Sequence, residues 1–425
     1  MITRFFYGCA IRLYSLVVRV ASLFVPKARQ WVEGRRNWRA SLQERMSKKA
    51  TDQKVAWFHS ASLGEFEQGR PVIEAFRRDH PEYFLLLTFY SPSGYEVRKG
   101  YQGVDHICYL PSDTRRNARD FVETVNPTIA LFIKYEFWYN HLSELKERRI
   151  PTVLFAAIFR PEQVFFKSWG GFYQSMLGMF DAILVQNTES KQLLGTIPGT
   201  NEVVVAGDPR FDRVTALAAN ARELPEIDNF VGEHYCIVVG SAWEQDMNLI
   251  IPVLNRMGKR LKAIIAPHEI NVREIESWRK RLTLPSLTYS EYRALNFSFR
   301  DTPVDYLIID NVGMLSSLYR YGQIAYVGGG FGKGLHNTLE AATFGMPVFF
   351  GNKSYHRFSE AVSLLNLGVA KTIESEKELE GNLDSLLSDA EALHALSEKS
   401  QHFVASHTGA TKKILEVVAR LITVK

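Results

Sequence analysis

The chain has little cysteine. Cys9, Cys108 and Cys236 are odd in number and scattered over 425 residues. That excludes a disulfide framework and a thiolate metal site, and it suits a reducing compartment. The eleven histidines contain no HExxH and no pair four apart on a helix face, so no metal is expected. Two nucleotide signatures are also missing. Lys333 is followed by Gly334 and not by Ser or Thr, which rules out the ATPase phosphate loop. Gly330, Gly332 and Gly334 lack the dinucleotide spacing, and Asn352 and Lys353 supply no acid for a dinucleotide ribose. No cofactor is expected. Short repeats and low-complexity tracts are absent too.

Excess charge is confined to one end. The first fifty residues hold 11 Lys/Arg against 2 Glu, or +9. The other 375 hold 40 basic and 44 acidic residues, or −4. This argues against a nucleic-acid-binding body and for a basic anchor at residues 1–50. There Arg4, Gly8, Arg12, Ser15 and Arg19 fall on one helical stripe, with Phe6, Leu13, Val17, Val20 and Phe24 opposite. The pattern fits a helix lying in a membrane interface, its arginines toward anionic headgroups. A single span burying Arg12 and a plain core helix are the alternatives. Basic residues from Lys27 to Arg39 suit the cytoplasmic leaflet.

From residue 51 onward short apolar strands alternate with helices. Strands are expected at 54–59, 83–89, 106–110, 128–133, 152–157, 182–186 and 203–206. After a polar stretch, more follow at 235–239, 263–266, 306–309, 324–327 and 347–350. This is an α/β chain with two doubly wound, Rossmann-like halves facing across a cleft. The expected domains are 51–214 and 235–405, with 215–234 as linker and a terminal helix in 406–425.

The densest signal lies between Val327 and Gly351. A strand enters Gly328, Gly329, Gly330, Gly332 and Gly334, and a helix is expected to open near His336. Such a loop lets backbone approach a ligand, and free helix amides suit a phosphate. Glu340, one turn in, could accept from sugar hydroxyls. A tight turn without a ligand is the bland alternative. A phosphate with a ribose fits better than NAD or ATP.

Other candidates sit at strand ends. Ser62, Gly64 and Glu65 join the first strand to its helix. Ser62-x-x-Glu65 is a capping box, yet a carboxylate at a cleft mouth can also act as a base. Glu136 could bind substrate or cap a helix. Arg210 could hold a carboxylate or phosphate, or form an interdomain ion pair. His268 follows Pro267, and a lone histidine is more often structural. Asn311, Gly313 and Met314 form a loop whose amides could face a ligand.

Two blocks resemble the Kdo transferases of lipopolysaccharide assembly, inverting glycosyltransferases of the GT-B fold. They are HSASLGEFEQGRPVIEAF from His59, and the stretch from Leu307 through NVGML and VGGGFGKGLHNTLEAATFG to Gly351. The resemblance implies transfer of Kdo from CMP-Kdo to a lipid A precursor at the cytoplasmic face of the inner membrane. It implies Glu65 as base, Asn337 and Glu340 at the ribose and phosphate, and the 311–315 loop at the cytosine. It places His268 near the phosphate and Arg210 in the loop closing the first half. Lys134, Tyr139, Pro267, Met314 and Leu335 depart from the family's usual residues, as does the stretch Ala156-Ala157-Ile158. Rival readings are another GT-B transferase, a sugar-nucleotide epimerase, or a non-catalytic lipid-binding relative.

Overall fold

The structure is a computed structural model and describes residues 2–295, 304–332 and 334–423. Lys333 lies outside the described residues. The chain divides into two compact units, 1–212 with 408–425, and 213–407.

The first unit holds a seven-stranded parallel sheet. Its strands are β1 (Val55–Ser60), β2 (Phe84–Phe89), β3 (His106–Tyr109), β4 (Ile129–Ile133), β5 (Thr152–Ala157), β6 (Ala182–Val185) and β7 (Glu202–Val205). Their order is β3-β2-β1-β4-β5-β6-β7. Strands β1, β2, β4 and β5 are buried at every position, because helices cover both faces. Trp57 and Phe132 point into one apolar cluster, Phe58 and Leu131 into the other. The strand order reverses between β1 and β4, the switch point where open α/β sheets bind ligands.

Three helices precede β1: α1 (Ile2–Ala21), α2 (Pro26–Glu33) and α3 (Trp38–Ser47). Trp31, Leu42 and Met46 are buried, so α2 and α3 belong to the body of the unit. The inner side of α1 docks through Tyr7, whose hydroxyl donates to Asp113, and Ser15, which meets Ser112. Its outer side leaves Phe5, Phe6, Leu13, Leu16, Val17 and Val20 more than half exposed. No helix among the described residues is long and apolar enough to cross a membrane. Helix α4 (Leu63–Asp79) follows β1, and the last helix, Ala410–Thr423, packs against it.

The second unit holds another parallel sheet: β8 (Cys236–Ala242), β9 (Lys262–Pro267), β10 (Ser286–Thr288), β11 (Tyr306–Ile308), β12 (Ile324–Val327), β13 (Val348–Gly351) and β14 (Ala370–Ile373). The order is β10-β11-β9-β8-β12-β13-β14, so its switch point lies between β8 and β12. The stretch 215–234, expected as a linker, instead carries helix Pro225–Val231 and the end of helix Pro209–Ala219. Ile227, Phe230 and Val231 are buried, which makes this stretch part of the second unit's core.

Candidate active site

Glu65 stands at the first switch point, where β1 turns into α4. Ser62 is the helix N-cap, and its hydroxyl accepts from the Glu65 amide at 3.4 Å. A full capping box would return the Glu65 carboxylate to the Ser62 amide. Here Glu65 Oε2 accepts instead from the Ala61 amide at 2.7 Å, one residue earlier. The carboxylate is therefore drawn back over the end of β1. Gly64 is exposed beside it. Partial burial and the nearby Glu136 charge raise the Glu65 carboxyl to about 7, against the pull of the Ala61 amide and Lys134. A carboxyl poised there can take a proton near neutral pH.

Glu136 follows β4, on the other side of the switch point, and is buried. It caps no helix; the residue before helix Tyr139–Glu147 is Trp138. Its Oε2 meets His59 Nε2 at 2.9 Å and accepts from the Trp138 indole at 2.6 Å. His59 pairs with Thr88 in the sheet register, and His59 Nδ1 meets Thr88 Oγ1 at 2.8 Å. Trp57 donates to the same hydroxyl at 2.8 Å. With the imidazole proton on Nε2, one line runs from Trp57 through Thr88 and His59 to Glu136. Every member is buried or nearly so, which rigidifies the network. Lys134 sits at the β4 end with φ of 69°, a left-handed turn that starts the loop carrying Glu136.

Arg210 pairs locally. Its guanidinium donates to Asp208 Oδ2 at 2.9 and 2.6 Å, and its amide to Asp208 Oδ1 at 3.0 Å. Burial pushes the Asp208 carboxyl up, but Arg210 and the hydrogen bonds outweigh it and hold it below its usual range. Gln68 of α4 also donates to Asp208, at 3.1 Å. One turn of α4 thus separates Glu65 from the support of Arg210.

In the second unit the candidates gather at the C-terminal ends of β8, β9, β11 and β12. His268 follows β9, and its ring stacks on both Trp243 at 4.4 Å and His336 at 4.3 Å, which are themselves 6.4 Å apart. Trp243 Nε1 donates to His336 Nε2 at 3.1 Å. Burial and then the neighbouring His268 pull the His336 ring down to about 4, so it is neutral at pH 7. Burial also lowers His268, against a small opposing effect of Glu269. These rings can each offer an N–H to an anion, and a bound anion favours their protonation. Asn311, Gly313 and Met314 lie in a loop after β11, with Asn311 and Gly313 exposed and Gly313 at φ of 89°.

The glycine loop differs from expectation in one respect. The helix does not open at His336; it spans Leu339–Thr343, one short turn. Asn337 explains the delay, because its side-chain oxygen accepts from the Leu339 amide at 3.1 Å and its amide group donates to Glu340 at 3.1 Å. A five-residue helix has little dipole, so anion binding here rests on loop amides and rings. The glycines are also needed for packing. A Cβ on Gly328 would meet the Ser241 carbonyl at 2.2 Å, and one on Gly330 would meet Gly351 at 2.5 Å. Gly330 therefore seats the loop against the β13 end. The Gly329 amide is spent inside the unit, donating to Asp246 Oδ2 at 3.0 Å. Asp246 accepts from the Trp243 amide as well, so one carboxylate ties β8 to the loop after β12.

His59, Thr88, Trp138, Trp243 and Asp246 escaped the sequence reading. His59 and Thr88 read as ordinary strand residues, and only the register brings them together. Trp243-x-x-Asp246 gives no capping signal in the sequence, because an indole cannot accept from a helix amide, and only the fold shows Asp246 closing on the Trp243 amide. Among the described residues no group of three His, Cys, Asp or Glu is placed to hold a metal.

Residues 37–213 match the family model described as 3-deoxy-D-manno-octulosonic-acid transferase (kdotransferase). Curated 3-deoxy-D-manno-octulosonic acid transferases align over most of the chain. One from Rickettsia felis is 24% identical, covering 87% of this chain and 79% of its own. One from Aquifex aeolicus is 26% identical, covering 78% and 86%. One from Haemophilus influenzae is 24% identical, covering 85% and 86%. Among solved structures, a UDP-GlcNAc 2-epimerase from Neisseria meningitidis shares the fold at TM-score 0.58 and 12% identity, over 86% of this chain and 100% of its own. The Acinetobacter baumannii MurG structure shares it at 0.54 and 12%, over 86% and 99%. The resemblance seen in the sequence is therefore matched by the comparisons: the chain is similar to Kdo transferases over most of its length, and it folds as a GT-B-like pair of α/β units.

Proposed function

We propose that the protein transfers Kdo from CMP-Kdo to a lipid A precursor, with inversion and without a metal. The observation that carries this reading is Glu65, half-buried at a switch point with its carboxyl raised to about 7. Its second oxygen, Oε1, takes the proton of the acceptor hydroxyl as that hydroxyl oxygen attacks the anomeric carbon, while Oε2 stays on the Ala61 amide. The bond from that carbon to the phosphate oxygen breaks, and CMP leaves with the electron pair. The proton on Glu65 passes to solvent. Glu136 keeps Glu65 basic by its charge and is itself fixed by His59 and Trp138.

The second unit takes the nucleotide in this reading. His268, His336 and the Asn337 region face the phosphate, Glu340 the ribose, and the Asn311–Met314 loop the base. Such fixed donors stabilise charge that develops on a leaving phosphate. Arg210, held by Asp208, supports the acceptor side. The exposed apolar side of α1 supports a peripheral position on the cytoplasmic face of the inner membrane, among anionic lipids.

The test is donor competition and transfer in EDTA. CMP should displace labelled CMP-Kdo while UDP does not, and mass spectrometry should find Kdo on the lipid A precursor. Displacement by UDP alone would move the protein to a different donor.

A further inference from the structure

Two adjoining hollows lie in the first unit, and Glu65 lines neither. One, of about 570 Å³, is lined by Arg19, Trp31, Arg35, Arg36 and Arg39 among others. The second, of about 700 Å³, includes Arg12, Arg115, Arg116 and Arg119. Asn117 lines both. Eight arginines thus surround them, and Asp120 is the carboxylate among the lining residues.

Asp120 is already committed to Arg39 at 2.6 Å, with Arg116 at 3.8 Å. Arg12, Arg19, Arg36, Arg115 and Arg119 pair with no carboxylate among the described residues. Arg35 is held between the Trp31, Tyr90 and Tyr109 rings, and it donates to the carbonyls of Trp31, Tyr90 and Leu110. It has hydrogen bonds but no counter-charge. Burial pulls it down to about 10, which leaves it a cation at neutral pH. Trp31 adds an independent sign. It is 6% exposed, it lines the first hollow, and its indole N–H is buried without an acceptor. A buried donor with no partner is costly unless something fills the site.

We infer that the hollow between α1, α2 and α3 is a binding site for the phosphate of an anionic lipid headgroup. Guanidinium forks match phosphate oxygens in pairs, and the Trp31 N–H supplies one more donor. The lipid source follows from α1. Arg19 lines the hollow from the same helix that exposes Leu13, Leu16, Val17 and Val20. One amphiphile can then place its phosphate among the arginines and its chains along the apolar side. The inference deepens the membrane-surface reading of α1 and rests on it, and it is independent of which sugar is transferred.

The test is flotation of the full chain with phosphatidylcholine vesicles, with and without phosphatidylglycerol. Wild type should bind the anionic vesicles more tightly. Arg19→Glu with Arg36→Glu should weaken that binding on the order of tenfold or more, leaving neutral vesicles little changed. Lys412→Glu with Lys413→Glu, the same charge change on the last helix, should have a much smaller effect. Trp31→Phe, which removes the orphan N–H and keeps a ring, should reduce the preference for anionic vesicles severalfold. Equal losses from both charge reversals would overturn the inference in favour of general attraction. Inorganic phosphate that displaces the protein from vesicles at low millimolar concentration would overturn the lipid source. Leu16→Gln with Val20→Gln separates the two readings. If it abolishes flotation while the arginine pair and Trp31→Phe change nothing, the hollow fails and the apolar anchor survives.

Discussion

Glu65 does two things with one side chain. It secures the Ala61 amide at the end of β1, and it keeps a carboxyl that titrates near neutrality. The capping and base readings, alternatives in the sequence, are compatible because the carboxylate spends one oxygen on the backbone. Its raised pKa has a cost with a definite sign. The folded state holds the proton more tightly than the unfolded chain, so this site stabilises the fold below the ordinary carboxyl range. That contribution is lost as pH rises through about 7. Glu65→Gln should therefore raise Tm at pH 8, with a gain that shrinks toward pH 4.5. Glu136→Gln keeps an acceptor for His59 and Trp138 but removes the like charge. The lower inflection of the kcat/KM profile, near pH 7 in wild type, should move to lower pH. An unmoved inflection would show that Glu136 does not govern Glu65.

At the scale of elements, most of the fold was legible and its edges were not. Central strands such as FLLLTF and IALFI are wholly apolar, because both sheet faces are covered. The strands missing from the sequence reading are β10 (SLT) and β14 (AKTI), the two edges of the second sheet. They are short and partly exposed, so no apolar run marks them. The glycine loop was legible as a backbone feature but misread in its helix, since Asn337 holds the chain back from helical geometry until Leu339. Gly328→Ala tests how far packing dictates the loop. The clash with the Ser241 carbonyl joins two backbones that cannot give way, so about 1–3 kcal/mol of stability should be lost in urea denaturation. CMP affinity should fall with it, because the Gly328 carbonyl accepts from the His336 amide and a shift there moves that ring. Gly381→Ala, in helix Glu376–Ser388 with open space around it, should be neutral or stabilising by about 0.5–1 kcal/mol.

At the scale of the molecule, the chain passes from the first unit to the second at residues 212–213 and returns at 407–408. Asp212 marks that return, accepting from the Gly409 and Thr411 amides. Ile414 and Val418 of the last helix are fully buried in the first unit's core. Sequence order hides this, since a terminal helix reads as an appendage of whatever precedes it. A chain ended at His407 should lose about 2–5 kcal/mol per large core residue in the first unit. Calorimetry should show that unit's transition moved down or lost, with the second unit's transition kept. A uniform loss of both would contradict separate cores.

The central claim is that Glu65 is the base of a sugar transfer. Single-turnover transfer of Kdo from CMP-Kdo to a lipid A precursor, in EDTA, by wild type and by Glu65→Gln tests it most directly. The account predicts a variant slower by roughly 10²–10⁴-fold with CMP binding unchanged. A variant within a few-fold of wild type would leave Glu65 as a helix cap and place the chemistry elsewhere.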